Sequence, residues 1–246
     1  AVRVSFVTVA VWWALFSIPL FLFVDEPAAT GRGSRLAAVR DGLRQLAGTF
    51  RQVRQLRMAW LFLLAYWLYI DGVDTIIRMG VAYGLALGFG TRHLLLALGL
   101  IQFIGFPAAI AFGRIAERIG TRNGLFIGLG VYVGVSIWSY LMDTVAHFYV
   151  LAVAVALVQG GVQALSRSLY ARLIPPDKSA EFFGFYNLLG KSAAVIGPLL
   201  VGWVGLVTGN PRLSILSLIV LFVGGGLLLL LVDEGANRPA DAATAP

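Results

Sequence analysis

The chain has 246 residues, 59% hydrophobic and only 13% charged. Soluble domains carry roughly twice that share of charge, so the composition excludes an ordinary globular protein and points to a bilayer. The net charge of +7 is not a nucleic-acid signal, because most cations fall in short segments between apolar runs, where they report topology.

There is no Cys, hence no disulfide and no thiol chemistry. The two histidines, His93 and His147, lie far apart near predicted span ends, so neither a metal nor another cofactor is expected. The chain opens at Ala1 without Met and enters an apolar run at once, which suggests a piece of a longer protein. That run is too long for the apolar core of a signal peptide, and Phe23-Val24-Asp25-Glu26-Pro27 lacks a small-x-small cleavage site.

Seven spans are predicted in an all-α membrane protein, each about twenty residues or longer. The first runs from Val4 to Phe23, within a first segment of residues 1–24. A basic linker follows (25–57), and six further spans occupy 58–232. These run from about Met58 to Leu87, His93 to Phe112, Gly124 to Met142, His147 to Leu169, Phe182 to Val207 and Leu213 to Val232. Residues 233–246 form a polar, Ala- and Pro-rich tail expected to be disordered. In the linker, Leu36, Val39, Leu43, Leu46, Phe50 and Val53 are spaced 3, 4, 3, 4, 3 with Arg on the flanks. This is a basic amphipathic helix suited to the inner leaflet, with a coiled-coil seam as the alternative. Arg and Lys crowd the linker and the connections after the third and fifth spans. The positive-inside rule then places the N-terminus outside and the C-terminus in the cytoplasm.

The second span is the most informative. Asp71, Asp74 and Arg78 share one helical face inside an otherwise apolar stretch from Leu61 to Gly88. Three charges at about 3 kcal/mol each outweigh the about 5 kcal/mol returned by nearby Leu, Ile, Phe and Val. This helix is therefore a poor lone span, and its charged face is expected to look into a bundle or a wet cavity. The plainer alternative is a structural Asp74–Arg78 ion pair at i and i+4.

Lys191 lies in the sixth span, roughly 15 Å from its cytoplasmic end by helical rise. A pairing with Asp71 or Asp74, or a contact with a solute carboxylate, would suit it. Asn187 is one turn earlier on the same face, and Gln159 and Gln163 are i and i+4 on the fifth span. These amides either line a cavity or bridge helices. In the sixth span, Gly197-Pro198 can break the helix at membrane depth, as transport sites often do. The stretch from Gly184 to Ser192 mimics a phosphate-binding loop, but its spacer is five residues rather than four and no strand precedes it. No catalytic constellation is present in the sequence.

The segment Gly113-Arg-Ile-Ala-Glu117-Arg118-Ile-Gly120-Thr-Arg122 resembles the interhelical loop of the major facilitator superfamily. Three stretches, Asp71 to Met79, Gln159 to Ser168 and Glu181 to Lys191, resemble one branch: the autophagy-related vacuolar amino-acid effluxers and their bacterial relatives. The resemblance implies the second half of a twelve-span transporter. The first span would be the family's sixth, and the last six would form its C-terminal bundle. It implies movement of a small polar solute, amino acids among the candidates, by alternating access across the cell membrane. Asp71, Asp74, Arg78 and Lys191 would be the polar centre, with Asn187, Gln159 and Gln163 as lining. Gly113, Glu117, Arg118, Gly120 and Arg122 would be gate residues. The partners implied are lipid, the solute, and an N-terminal six-helix half or a second copy, with no nucleic acid. The alternatives are a non-transporting scaffold or receptor-like protein, an inactive fragment and a membrane-embedded enzyme.

Overall fold

A computed structural model describes residues 2–23 and 35–233, without the side chains of residues 2, 3, 35–39 and 43. The predicted linker start and the tail beyond Asp233 lie outside the described residues, as do the side chains of Leu36, Val39 and Leu43. The described residues are helical and contain no strand. The protein is an all-α membrane protein: each of the seven predicted spans is matched by a helical segment long and apolar enough to cross a bilayer. The chain divides into two units, Ala1–Arg44 and Gln45–Pro246.

In the first unit, α1 (Val2–Phe23) is apolar on every side, and its described side chains are almost all exposed. The helix α2 (Arg35–Gln55) begins there, where Arg44 and Arg40 flank Asp41 at 3.7 and 3.9 Å.

The second unit begins with the end of α2. Thr49 and Val53 are buried, and the Phe50 ring meets Trp60 and Phe185 at 5.6 and 5.9 Å. The rest of the unit is α3 (Arg57–Ala86), α4 (Thr91–Ile119), α5 (Thr121–Leu141), α6 (Val145–Leu173), α7 (Ser179–Ala193), α8 (Ile196–Thr208), α9 (Pro211–Leu216) and α10 (Ile219–Leu230). A 3-10 turn at Pro176–Lys178 leads into α7. Lys178 Nζ donates to Gln52 at 3.1 Å and Gln45 Nε2 to Glu181 at 3.1 Å, tying the end of α2 to the start of α7.

As its charges require, α3 is the most buried span and packs against α6, α7, α8 and α10. The most extensive helix pair is α4 with α6. Small residues permit it: a Cβ on Gly160 would come 2.7 Å from Ala109 Cβ, and one on Gly161 would run into the Phe112 ring. Gly161→Ala is therefore expected to cost about 1–3 kcal/mol by overpacking. A lowered thermal unfolding midpoint in detergent would show it. Gly130, whose Cβ direction is open, serves as the control, and Gly130→Ala should lower nothing.

The sixth predicted span is broken, two to three residues before the expected Gly197-Pro198. It separates into α7 and α8 at Ala194 and Val195, and Gly197 and Pro198 sit in the first turn of α8. The displacement follows from proline chemistry. The ring clashes with the carbonyl four residues earlier, here Ala194, while Pro itself is tolerated in a first helical turn. At the far end, Arg212 joins α9 to the end of α5, at 2.5 Å from Asp143 and 3.1 Å from the Tyr140 carbonyl.

Candidate solute-binding site

Three elements meet around a cavity of about 220 Å³. From α3 come Asp74 and Arg78, from α6 Gln163 and Arg167, and from α7 Asn187 and Lys191. Each pair is one helical turn apart, so three two-residue ledges converge on one space. The floor is apolar and aromatic. Tyr66, Ile70 and Tyr186 are buried, and the two tyrosine rings stack at 4.2 Å between centroids. Tyr186 continues the stack onto Tyr170 at 5.1 Å. Beneath it, the Tyr69 hydroxyl meets Ser166 Oγ at 2.7 Å. These rings hold the floor in one place. Gly190 keeps the cavity open, since a Cβ there would come 2.8 Å from the Tyr66 hydroxyl.

The charges on this wall are unequal. Arg78 lies 3.7 Å from Asp74, and Asp74 is the more sheltered of the two, at 25% exposed against 62%. The i and i+4 ion pair expected from the sequence is formed. Arg167 and Lys191 are exposed, and neither forms an ion pair with a carboxylate among the described residues. The anticipated pairing of Lys191 with Asp71 or Asp74 is thus not made. The wall carries three cations against one anion.

Asp71 does not line this cavity. It is 2% exposed and accepts a hydrogen bond from the Gly197 N–H at 2.7 Å, capping the first turn of α8. Its other oxygen, Oδ1, and Thr75 Oγ1 have no hydrogen-bond partner among the described residues. Both border Gly197: a Cβ there would collide with Thr75 Oγ1 and reach 3.1 Å from Asp71 Oδ1. Sharing a helical face with Asp74 and Arg78 did not give Asp71 the same surroundings, because the start of α8 covers it.

Gln159 and Gln163 are likewise separated. Gln163 is at the polar cavity, whereas Gln159, with Gln102, lines a larger cavity of about 310 Å³ between α3, α4 and α6. That cavity is otherwise walled by apolar side chains, among them Ile77, Ile101 and Phe148. Arg167 is the site residue that sequence reasoning missed. It stands at i+4 from Gln163, as Gln163 does from Gln159, within the stretch Gln159 to Ser168 that carries the family resemblance.

The segment from Gly113 to Arg122 is not an open loop. Helix α4 continues through Gly113, Glu117 and Arg118, and the turn shrinks to Gly120 at φ +92°, a conformation that favours glycine. The run Arg-Ile-Ala-Glu-Arg-Ile consists of adequate to good helix formers, which accounts for the extension. Glu117 and Arg118 are exposed. Arg122 reaches across to α10, donating to the Leu230 carbonyl at 2.6 Å, with its guanidinium 5.7 Å from the Phe126 ring centre.

A family model described as "Vacuole effluxer Atg22 like" matches residues 1–241. The "Uncharacterized MFS-type transporter YxiO" of Bacillus subtilis (strain 168) is 42% identical over 234 residues, covering 95% of this chain and 54% of its own length. "Autophagy-related protein 22" of Cryptococcus neoformans var. neoformans serotype D (strain B-3501A) is 29% identical over 234 residues, covering 87% of this chain and 43% of its own. The protein of the same name from Yarrowia lipolytica (strain CLIB 122 / E 150) is 26% identical over 270 residues, with 97% and 45% covered. The family description names an effluxer and the Bacillus subtilis relative is named a transporter; neither is named an enzyme. The chain spans about half the length of the curated relatives it matches. No solved structure matches it significantly.

Proposed function

The chain belongs to the family described as "Vacuole effluxer Atg22 like", and from that premise we propose that it forms one wall of a secondary active transporter for a small polar solute. The observation that carries this reading is the cavity of about 220 Å³, where Arg78, Arg167, Lys191 and Asp74 gather inside spans that are otherwise apolar. A charge facing lipid at mid-depth costs about 3 kcal/mol, so a face with several exposed charges belongs on water or on a partner. On this reading α1 is the sixth span of a twelve-span protein, the linker is cytoplasmic, and residues 58–232 are the C-terminal bundle. A first six-helix half, or a second copy, supplies the opposite wall. The two walls rock about the fixed site, exposing it first to one side and then to the other. The N-terminus of the chain is outside and its C-terminus is in the cytoplasm of a cell whose surface membrane holds it.

The Gly113–Arg122 segment would serve as the gate, with Arg122 bracing α10 and with Glu117 and Arg118 free to engage the other wall. Amino acids are the first solutes to test, held by their carboxylates on the cationic wall. Coupling to protons would run through Asp71 or Asp74. Flux that ignores a pH gradient and is unchanged in Asp71→Asn would remove that coupling.

The direct experiment is reconstitution into liposomes of the chain together with the remaining helices of the transporter, followed by uptake of labelled leucine. Saturable uptake that disappears in Asp74→Ala or Arg78→Ala supports the reading. A correctly folded preparation that moves no amino acid and no organic acid would leave a membrane scaffold instead.

A further inference from the structure

We propose that the exposed side of α2 is a docking surface for anionic phospholipid, with Arg51 and Arg54 on the headgroup phosphates and Leu46 and Phe50 at the top of the acyl chains. The first support is position. Helix α2 ends at Gln55 and the span α3 begins at Arg57, with no loop between them. Leu56 carries the hydrogen bonding across. Its N–H donates to the Gln52 carbonyl at 3.3 Å, and its carbonyl accepts from the Trp60 N–H at 2.9 Å. The last turns of α2 thus stand where a helix apolar enough to cross a bilayer begins, at headgroup level. They are also held to the bundle. Thr49 and Val53 are buried, and the Phe50 ring meets Trp60 and Phe185. Gln45 bonds to Glu181 of α7, and Gln52 to Lys178 just before it.

The second support is the pattern around the helix. At 3.6 residues per turn, Arg51 stands two residues from both Thr49 and Val53 and so lies opposite the docked face. Arg54 follows three residues later on that same side, and both arginines are exposed. In the sequence, Arg44 and Arg40 precede Arg51 by 7 and 11 residues, offsets that repeat the same side. On one flank, between the cations and the docked face, run Leu46 and Phe50, four residues apart and 41% and 39% exposed. A helix solvated on that flank gains nothing from an apolar edge. A helix lying in the interface buries such an edge among acyl chains and lifts its arginines to the phosphates. Along its length α2 carries five arginines and one acid, Asp41, which Arg40 and Arg44 flank. That balance complements an anionic leaflet and not a zwitterionic one. Each arginine near an anionic surface is worth about fivefold in affinity.

The readout needs no flux, so a scaffold without transport activity would bind the same lipid. The full-length protein, in neutral detergent, is titrated with phosphatidylglycerol and, separately, with phosphatidylcholine. Bound lipid is read by native mass spectrometry, and stabilisation by the thermal unfolding midpoint. Phosphatidylglycerol should bind more tightly and raise the midpoint further, and added salt should weaken it alone. The double variant Arg51→Gln/Arg54→Gln should bind phosphatidylglycerol about twenty-fivefold more weakly while keeping its lipid-free midpoint. Arg51→Lys/Arg54→Lys, which keeps both charges, should retain the preference. Equal binding of the two lipids by the parent would overturn the proposal. So would a preference that survives in the Gln variant. A lipid-free midpoint that falls in the Gln variant, with the lipid preference unchanged, would place the two arginines against protein instead and overturn it as well.

Discussion

Lys191→Ala is expected to lower solute flux at least tenfold while leaving the thermal unfolding midpoint where it was. Lys191 is exposed at the cavity and has no carboxylate partner among the described residues, so removing it breaks no ion pair in the fold. Its place in the last turn of α7 favours the helix dipole by only a few tenths of a kcal/mol at an exposed position. A charge-assisted hydrogen bond to a bound anion is worth about 1.5–3 kcal/mol, which is roughly ten- to a hundredfold in affinity or rate. Uptake into proteoliposomes and unfolding in detergent, measured on the same preparation, check both halves of the statement. A structural lysine would give the opposite pattern, with the unfolding midpoint falling and flux per folded molecule preserved.

The second large effect concerns Asp71, where two substitutions should diverge. Asp71→Ala leaves the Gly197 N–H at the start of α8 without its acceptor and is expected to cost about 1.5–3 kcal/mol. Asp71→Asn should be as stable as the parent, or more so. The side-chain carbonyl can accept from Gly197, and the amide can donate to Thr75 Oγ1, an atom otherwise without a partner among the described residues. Unfolding midpoints of the two variants and the parent decide this. Equal destabilisation by Ala and Asn would mean that the negative charge, rather than the hydrogen bond, holds α8. Flux adds the functional half. If Asp71 carries a coupling proton, Asp71→Asn keeps the fold and loses the response to a pH gradient.

Much of this architecture was legible in the residues, for identifiable reasons. Apolar run length is set by bilayer thickness, so the spans could be counted directly. The cost of charge in lipid picked out α3 and Lys191, because so few residues repay such a cost. The less legible features were relations between helices. Asp71, Asp74 and Arg78 share a face in projection, but only tertiary packing shows that α8 crosses over Asp71. Arg167 was hidden by its second role, since an arginine near a cytoplasmic helix end also satisfies the positive-inside rule. Gly197-Pro198 signalled a break, yet the ring acts on the carbonyl four residues earlier and moves the break to Ala194 and Val195. The Gly113–Arg122 motif suggested a loop, but all except its second glycine and the residues after it have reason to continue the helix.

The central claim is that the wall bearing Asn187 and Lys191 faces a water-filled route and not acyl chains. Because the chain has no cysteine, single thiols introduced into it report without background. The decisive measurement is labelling of Asn187→Cys, in membranes, by a charged maleimide that does not cross bilayers. Val220→Cys, on a residue 68% exposed at the middle of the last span, is the lipid-facing comparison. The account predicts rapid labelling at 187 and none at 220. No labelling at 187 from either side of the membrane, in a protein whose fold is intact, would contradict it.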